Sequence, residues 1–490
     1  MNYPENLTKL IQAVLNRKPV LKQIYQNGNQ PIAEYIANSL TRQSPTSKKE
    51  ELIQTYQEEV TKRLGEQAGQ EAGAQLSKYY QLTTAHHHHA TSHPFFFNWD
   101  IVNSIIYGQH ANPILKNVLV LGCANVTMSN SSFPRGHIYH NQHGEVSHLS
   151  LIPSTQSQAC IYNTKAYTPK DLERVKQSNF DLDSKRRQTL NQIIDEVYGS
   201  DQVLNQKYYT DQITVSNFLL WQKYFKFSKP IGLIYITQED LVSQLLIKHH
   251  IEESTDIHKI IFGPQYENLI KKYFNGIIGC FNLQKQTGTY LFWGTPDEHN
   301  RRVGLIKEND FLVSLDGNYK LELTPQAIKQ ALNNGQIIPG MMLTFMVLSF
   351  YYGLKCLGGF DQPNYLTQMK QAFVAMQTEA GNIESANYAA KTITNELGGD
   401  FVLALLKHNN KLSPATCLDL ILEEDKNSLA ILNEQMYHIT IQEAILPLLP
   451  EFYQMTYSSE EQDKDLAQIK ADDVLELSGL GKKIKPCIVK

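Results

Sequence analysis

The sequence has little cysteine. Six residues (Cys123, Cys160, Cys280, Cys356, Cys417 and Cys487) are spread over 490 positions, with no CxxC pair and no dense framework. That excludes a disulfide-built scaffold and fits reduced thiols in a cytoplasmic protein. An excess of either charge is also missing: 45 Lys and Arg stand against 49 Asp and Glu, a formal net charge of -4. Nucleic-acid binders carry a basic surplus, so no nucleic-acid partner is expected. With 42% hydrophobic and 19% charged residues, the chain is neither disordered nor collagen-like. The N-terminus has no apolar stretch behind a basic start, so no secretory signal is read there. The longest uncharged run, IIPGMMLTFMVLSFYYGL at 337–354, is at the short limit for a membrane span. It opens near Pro-Gly and holds Thr344, Ser349, Tyr351 and Tyr352, so it reads as buried core rather than membrane.

Histidine is the exception to these shortages. Ten of the 16 histidines (His86, His87, His88, His89, His93, His110, His137, His140, His143 and His148) lie between residues 86 and 148. A uniform spread would put about two there.

The length suits two or three domains. Residues 1–78 read as helical, with Leu52, Tyr56, Val60 and Leu64 four apart in one long pattern over 50–79. From residue 79 the pattern changes. YYQLTT (79–84), VLVLGC (118–123) and PIGLIYIT (230–237) read as strands, the last two as continuous apolar runs suited to burial on both faces. HKIIFG (258–263) and GTYLFW (288–293) are expected to follow them, with helical patterns between, notably 170–198 and 239–249. Such alternation predicts an α/β fold, a Rossmann-like parallel-sheet core over 79–375 with helical insertions. Beyond residue 365 the pattern is almost wholly helical, so 376–490 is read as a C-terminal helical region with a mobile tail. No internal repeat is found.

His86, His87, His88 and His89 follow one strand and precede FFFNWDIVNSII, a helix start. A strand-turn-helix puts free backbone N–H groups at a helix N-terminus, where anions bind, and ligand crevices lie at the carboxyl ends of parallel strands. Neutral imidazole can contact phosphate, move protons or bind metal. Three readings stay open: a phosphate- or nucleotide-contacting turn, a zinc site, and a polar loop of hydrogen-bonded histidines. The zinc reading lacks the Glu of HExxH and any cysteine pair, so no metal is expected. His137, His140, His143 and His148 read as loop residues. After VLVLGC, Asn125, Ser129 and Asn130 crowd a strand end beside Arg135, suited to a sugar or carboxylate. Gln238, Glu239 and Asp240 arrive at the same edge after YIT; an N-cap or first-turn acid is the plainer reading of the two acids.

LTTAHHHHATSHPFFFNWDIVNSI resembles the TGQQ…GP opening of the cysteine ligase family of bacillithiol synthesis. Ala85, His86 and His87 stand at its Gly-Gln-Gln, and His93-Pro94 at its Gly-Pro. YLFWGTPDEHNRRVGLIKENDFLVSLDG and LTPQAIKQALNNGQIIPGMML are similar to its short β segment and the stretch that follows. LGGFDQPNYLTQMKQAF (357–373) is similar to its GGxxExxYxxQLKxxF block, with Gln362 near its Glu. The order agrees over residues 79–375. The resemblance implies a Rossmann-like, nucleotidyltransferase-type core and a dimerising helical region, hence a homodimer. Departures lie at Thr344 and Phe345, which replace an Arg-Pro, and at ANVTMSN, which replaces an acidic cluster.

The expected activity is that of a ligase or transferase on a small polar, amino- or sugar-bearing metabolite, with ATP or another nucleotide as the cofactor such a pocket admits. His86 and His89 would be catalytic. His87, His93, Asn125, Ser129, Asn130, Arg135, Gln238, Asp240, Arg302 and Gln362 would bind substrate. A metal-dependent hydrolase and a non-catalytic assembly protein are the alternatives. Cys487-Ile488-Val489-Lys490 has a C-a-a-X shape with lysines upstream, but Lys in the last position favours a plain solvated tail.

Overall fold

Two apolar runs set the centre of the fold. Gly232–Thr237 and Asn117–Gly122 are buried along their whole length and pair in parallel from Asn117↔Gly232 to Gly122↔Thr237. In a computed structural model, which describes residues 3–91, 93–130, 136–178, 180–296, 300–423 and 427–490, they belong to a four-stranded sheet. Its strands in chain order are β1 (Gln81–Thr83), β2 (Asn117–Gly122), β3 (Gly232–Thr237) and β4 (Lys355–Leu357). Their order across the sheet is β4-β1-β2-β3, and every pairing is parallel. The fold is thus mixed α/β.

Side chains alternate across a strand, and here both faces are apolar. Val118, Val120, Leu233 and Tyr235 join one core with Phe97 and Trp221. Leu119, Leu121, Ile234 and Ile236 join another with Tyr56, Val60 and Leu76. Each fully buried aliphatic side chain contributes roughly 1.5–3 kcal/mol. The second face is covered by an antiparallel helix pair, Lys49–Leu64 and Glu66–Lys78. The sequence predicts one helix there. Gly65, at φ +90°, ends the first helix and lets the chain reverse. At Gly69 a Cβ would sit 1.9 Å from the Thr61 hydroxyl, so only glycine permits this close approach.

Other expectations need correction. Residues 258–263 lie not in a strand but largely in the helix Asp256–Phe262: Thr255 caps it by accepting from the His258 amide, and Ile257, Ile260 and Ile261 form its buried stripe. The pattern over 170–198 divides into the helices Pro169–Lys176 and Ser184–Ile193, each with its own side-chain cap. GTYLFW contributes Phe292–Gly294 to a separate, antiparallel five-stranded sheet with Val303–Glu308, Phe311–Ser314, Lys320–Glu322 and Ile337–Pro339. The C-terminal region is not wholly helical. Leu405–His408 pairs with Lys411–Pro414 and, in parallel, with Ile488–Val489. The tail is therefore a strand rather than a solvated end: Cys487 is buried, its amide donates to Leu405, and Lys490 pairs with Glu423 at 3.0 Å.

His137, His140 and His148 lie not in a loop but in the hairpin Gly136–His140/Val146–Ser150. Residues 337–354 are core, running from Ile337–Pro339 into the buried helix Met341–Phe345. Among the described residues no helix is long and apolar enough to cross a membrane. The two helical ends of the chain pack together, with the Ile32 amide on the Ile439 carbonyl and Gln442 on Gly28.

Candidate active site

All four parallel strands run the same way, so their carboxyl ends share one edge. The segment after β1 continues to pair with the extension of β2: Cys123 donates to the His86 carbonyl and His88 to the Cys123 carbonyl, both at 2.8 Å. That pairing carries four histidines across the sheet edge before His93 caps the helix Pro94–Gln109.

Most of these imidazoles turn inward. His86, His88, His89 and His93 are buried. His88 Nε2 meets the Thr210 carbonyl at 2.9 Å, and His89 Nδ1 accepts from the Ala90 amide at 2.9 Å and lies 3.1 Å from the Tyr209 hydroxyl. Asn217 clamps the turn, accepting from the Thr91 amide and donating to the His89 carbonyl, both at 3.0 Å. Burial pushes these rings down to about 3, and His88 to about 4, so all are neutral near pH 7. His86 and His89, expected to act on substrate, are core residues.

His87 is different. It is half-buried, and its Nδ1 lies 3.0 Å from Asn130 Oδ1. Asn130 donates its own Nδ2 to the Thr127 carbonyl at 3.0 Å. That fixes the amide so that Oδ1 faces the ring, which places the His87 proton on Nδ1 and makes Nε2 the basic nitrogen. Burial lowers the His87 pKa, the Asn130 contact opposes this, and the Arg302 charge adds to the lowering.

Arg302 arrives from the second sheet, just before Val303–Glu308. Its guanidinium lies 4.1 Å from the Trp293 ring centroid, and Nη1 donates to Asn125 Oδ1 at 3.1 Å. Asn125 in turn donates to the Pro339 carbonyl at 3.2 Å. One imidazole, two carboxamides and a guanidinium stacked on tryptophan therefore meet beyond β2. Ser129 is half-buried beside them, its amide on the Ser157 carbonyl at 3.0 Å. Arg135 lies outside the described residues.

The remaining expected residues have other duties. Asp240 is held by Arg63 at 2.7 Å, Thr237 Oγ1 at 2.6 Å and the Tyr162 hydroxyl at 2.9 Å. Arg63 also takes Glu59 and Asp211, each at 2.6 Å. Gln362 donates to Thr84 Oγ1 at 2.6 Å and so ties the ends of β4 and β1. Gln238 is buried, with its amide 3.4 Å from Glu239.

The sequence places Glu239 at this edge, where it reads as an N-cap or first-turn acid. Its carboxylate accepts from the Ala124 amide at 2.9 Å and the Asn125 amide at 3.1 Å, and burial raises its pKa to about 7. It holds the loop that presents Asn125. Trp293 was missed, because its partner in sequence is nine residues away across a hairpin. Among the described residues no group of three or more His, Cys, Asp or Glu could hold a metal ion. Compared with protein-family models and with curated proteins, the sequence matches none.

Proposed function

We propose that this chain is a ligase or transferase acting on a small polar, amino- or sugar-bearing metabolite at the carboxyl edge of the parallel sheet. The observation that carries this reading is the meeting of Arg302, Asn125, Asn130 and His87 at the end of β2. A guanidinium braced on Trp293 suits a carboxylate or phosphate, and the carboxamides beside it suit hydroxyl or amino groups. His87, neutral and held by Asn130, supplies a base on that substrate through Nε2. Glu239 positions the Asn125 loop.

The strand order supports a Rossmann-like core. Read from the far edge it is β3-β2-β1-β4, so chain direction across the sheet reverses between β1 and β4, and ligands of such sheets bind outside the carboxyl ends. A nucleotide such as ATP is the proposed co-substrate, its phosphates taken by Arg302. The likeness to the cysteine ligases of bacillithiol synthesis agrees with this class of reaction, with His87 in place of a family glutamine.

A thermal-shift titration with ATP, other nucleotides and free amino acids tests the proposal. A rise in Tm that disappears in Arg302→Gln supports it. No shift with any of them would sink the nucleotide and amino-acid parts together.

A further inference from the structure

A cleft of about 140 Å3 opens where the N-terminal helices meet residue 395. Five polar side chains line it: Gln23, Asn27, Gln30, Arg42 and Asn395. Val20 and Ile24 give it an apolar wall. It stands apart from the candidate active site, because the Lys355–Glu396 pair beneath it begins β4 whereas the candidate site lies beyond the strand ends.

The local charge is positive. Glu396 is buried and is shared by two cations: its Oε1 lies 3.0 Å from Arg42 Nε, and its Oε2 lies 3.2 Å from Lys355 Nζ. One carboxylate thus faces two positive groups, and no carboxylate is among the residues that line the cleft. Arg42 approaches this carboxylate through Nε, and its side chain stays about half exposed. Asn38 donates to Gln30 Oε1 at 3.1 Å, which leaves Gln30 with its amide nitrogen to offer.

Size limits the guest. A cavity of about 150 Å3 holds a benzene-sized molecule, so one of about six to eight non-hydrogen atoms fits here. A guanidinium pairs with a carboxylate through two parallel bonds, and neighbouring carboxamides serve a second carboxylate, amide or hydroxyl. We propose that this cleft binds a small organic carboxylate, of the size of a four-carbon diacid, at a site separate from the candidate active site.

Calorimetric titration of the full chain with succinate, and with succinamide as its uncharged counterpart, tests the assignment. Succinate is expected to bind and succinamide to bind at least tenfold more weakly. Arg42→Gln is expected to weaken succinate at least tenfold while the fold persists, since Glu396 keeps Lys355. Asn395→Leu, at an exposed position, is expected to weaken it as well. Arg302→Gln is expected to leave succinate binding unchanged. No binding of succinate up to 20-fold molar excess at about 10 mM, equal binding by Arg42→Gln, or loss in Arg302→Gln would each overturn the proposal. The last result would place the anion at the candidate active site instead and leave the functional proposal standing.

Discussion

His86 Nε2 lies 3.4 Å from Asp100 Oδ2, and neither side chain has a hydrogen-bond partner among the described residues. Both are buried, Asp100 completely, and burial holds the Asp100 pKa well above the usual carboxylate range. Burial thus works against charge on both groups: it pushes the carboxyl up and holds His86 down to about 3, so the interior favours the uncharged pair.

A neutral pair makes a specific prediction. Asp100→Asn keeps shape and charge state, so unfolding free energy should change by less than about 1 kcal/mol. Replacing both residues by leucine removes two orphaned polar groups and should be neutral or stabilising by about 1–3 kcal/mol. Urea unfolding at pH 7.5 measures both. A large loss in Asp100→Asn would mean an ionised, functional carboxylate.

The buried imidazoles govern acid stability. His86, His89, His93 and His137 are pushed down to about 3 and His88 to about 4, whereas unfolded histidine titrates near about 6.5. Below that value the unfolded chain binds protons that the folded chain refuses, so stability falls with falling pH. Glu239, Asp400 and Glu451, raised to about 7, and Asp100, also raised by burial, act in the opposite sense. The imidazoles outnumber them, and each unopposed proton is worth about 1.4 kcal/mol per pH unit. Calorimetric scans should show Tm falling by a few degrees from about pH 5.5 to 4.5, where in the folded chain the raised carboxyls are already protonated and the imidazoles alone still refuse protons. A flat or rising profile would contradict the neutral, buried histidines.

Asp240 and Arg63 should separate structure from binding. Arg63→Met strands Glu59, Asp211 and Asp240 in a largely buried place and should cost about 3–5 kcal/mol. Asp240→Asn should cost about 1–3 kcal/mol. Ligand affinity, measured by calorimetry under conditions where each variant is folded, should stay within about threefold of the parent. A selective loss of binding in Asp240→Asn would restore it to the site.

Where the sequence was readable, periodicity was the reason. Continuous apolar runs marked β2 and β3, and FFFNWDIVNSII marked the helix that follows the histidines. Position relative to those elements also picked out Asn125, Asn130 and His87, and Arg302 entered through the family resemblance. What stayed hidden depends on pairing between distant residues. Nothing near Asp240 announces Arg63, and Glu239 looks like any first-turn acid until the amides of residues 124 and 125 stand beside it. A run of histidines at a strand-to-helix turn reads as a ligand-contacting turn or a polar loop because polar residues are seldom buried; here Tyr209, Asn217 and Tyr235, far along the chain, supply interior partners. The two-residue strand Ile488–Val489 is too short to carry a period.

The central claim is that Arg302, with Asn125 and His87, binds a small anionic metabolite at the sheet edge. Mass spectrometry of small molecules released from the natively purified protein, compared with Arg302→Gln purified alongside, tests it most directly. The account predicts an anionic metabolite or nucleotide retained by the parent protein and missing from Arg302→Gln. The same molecule retained equally by both would contradict it.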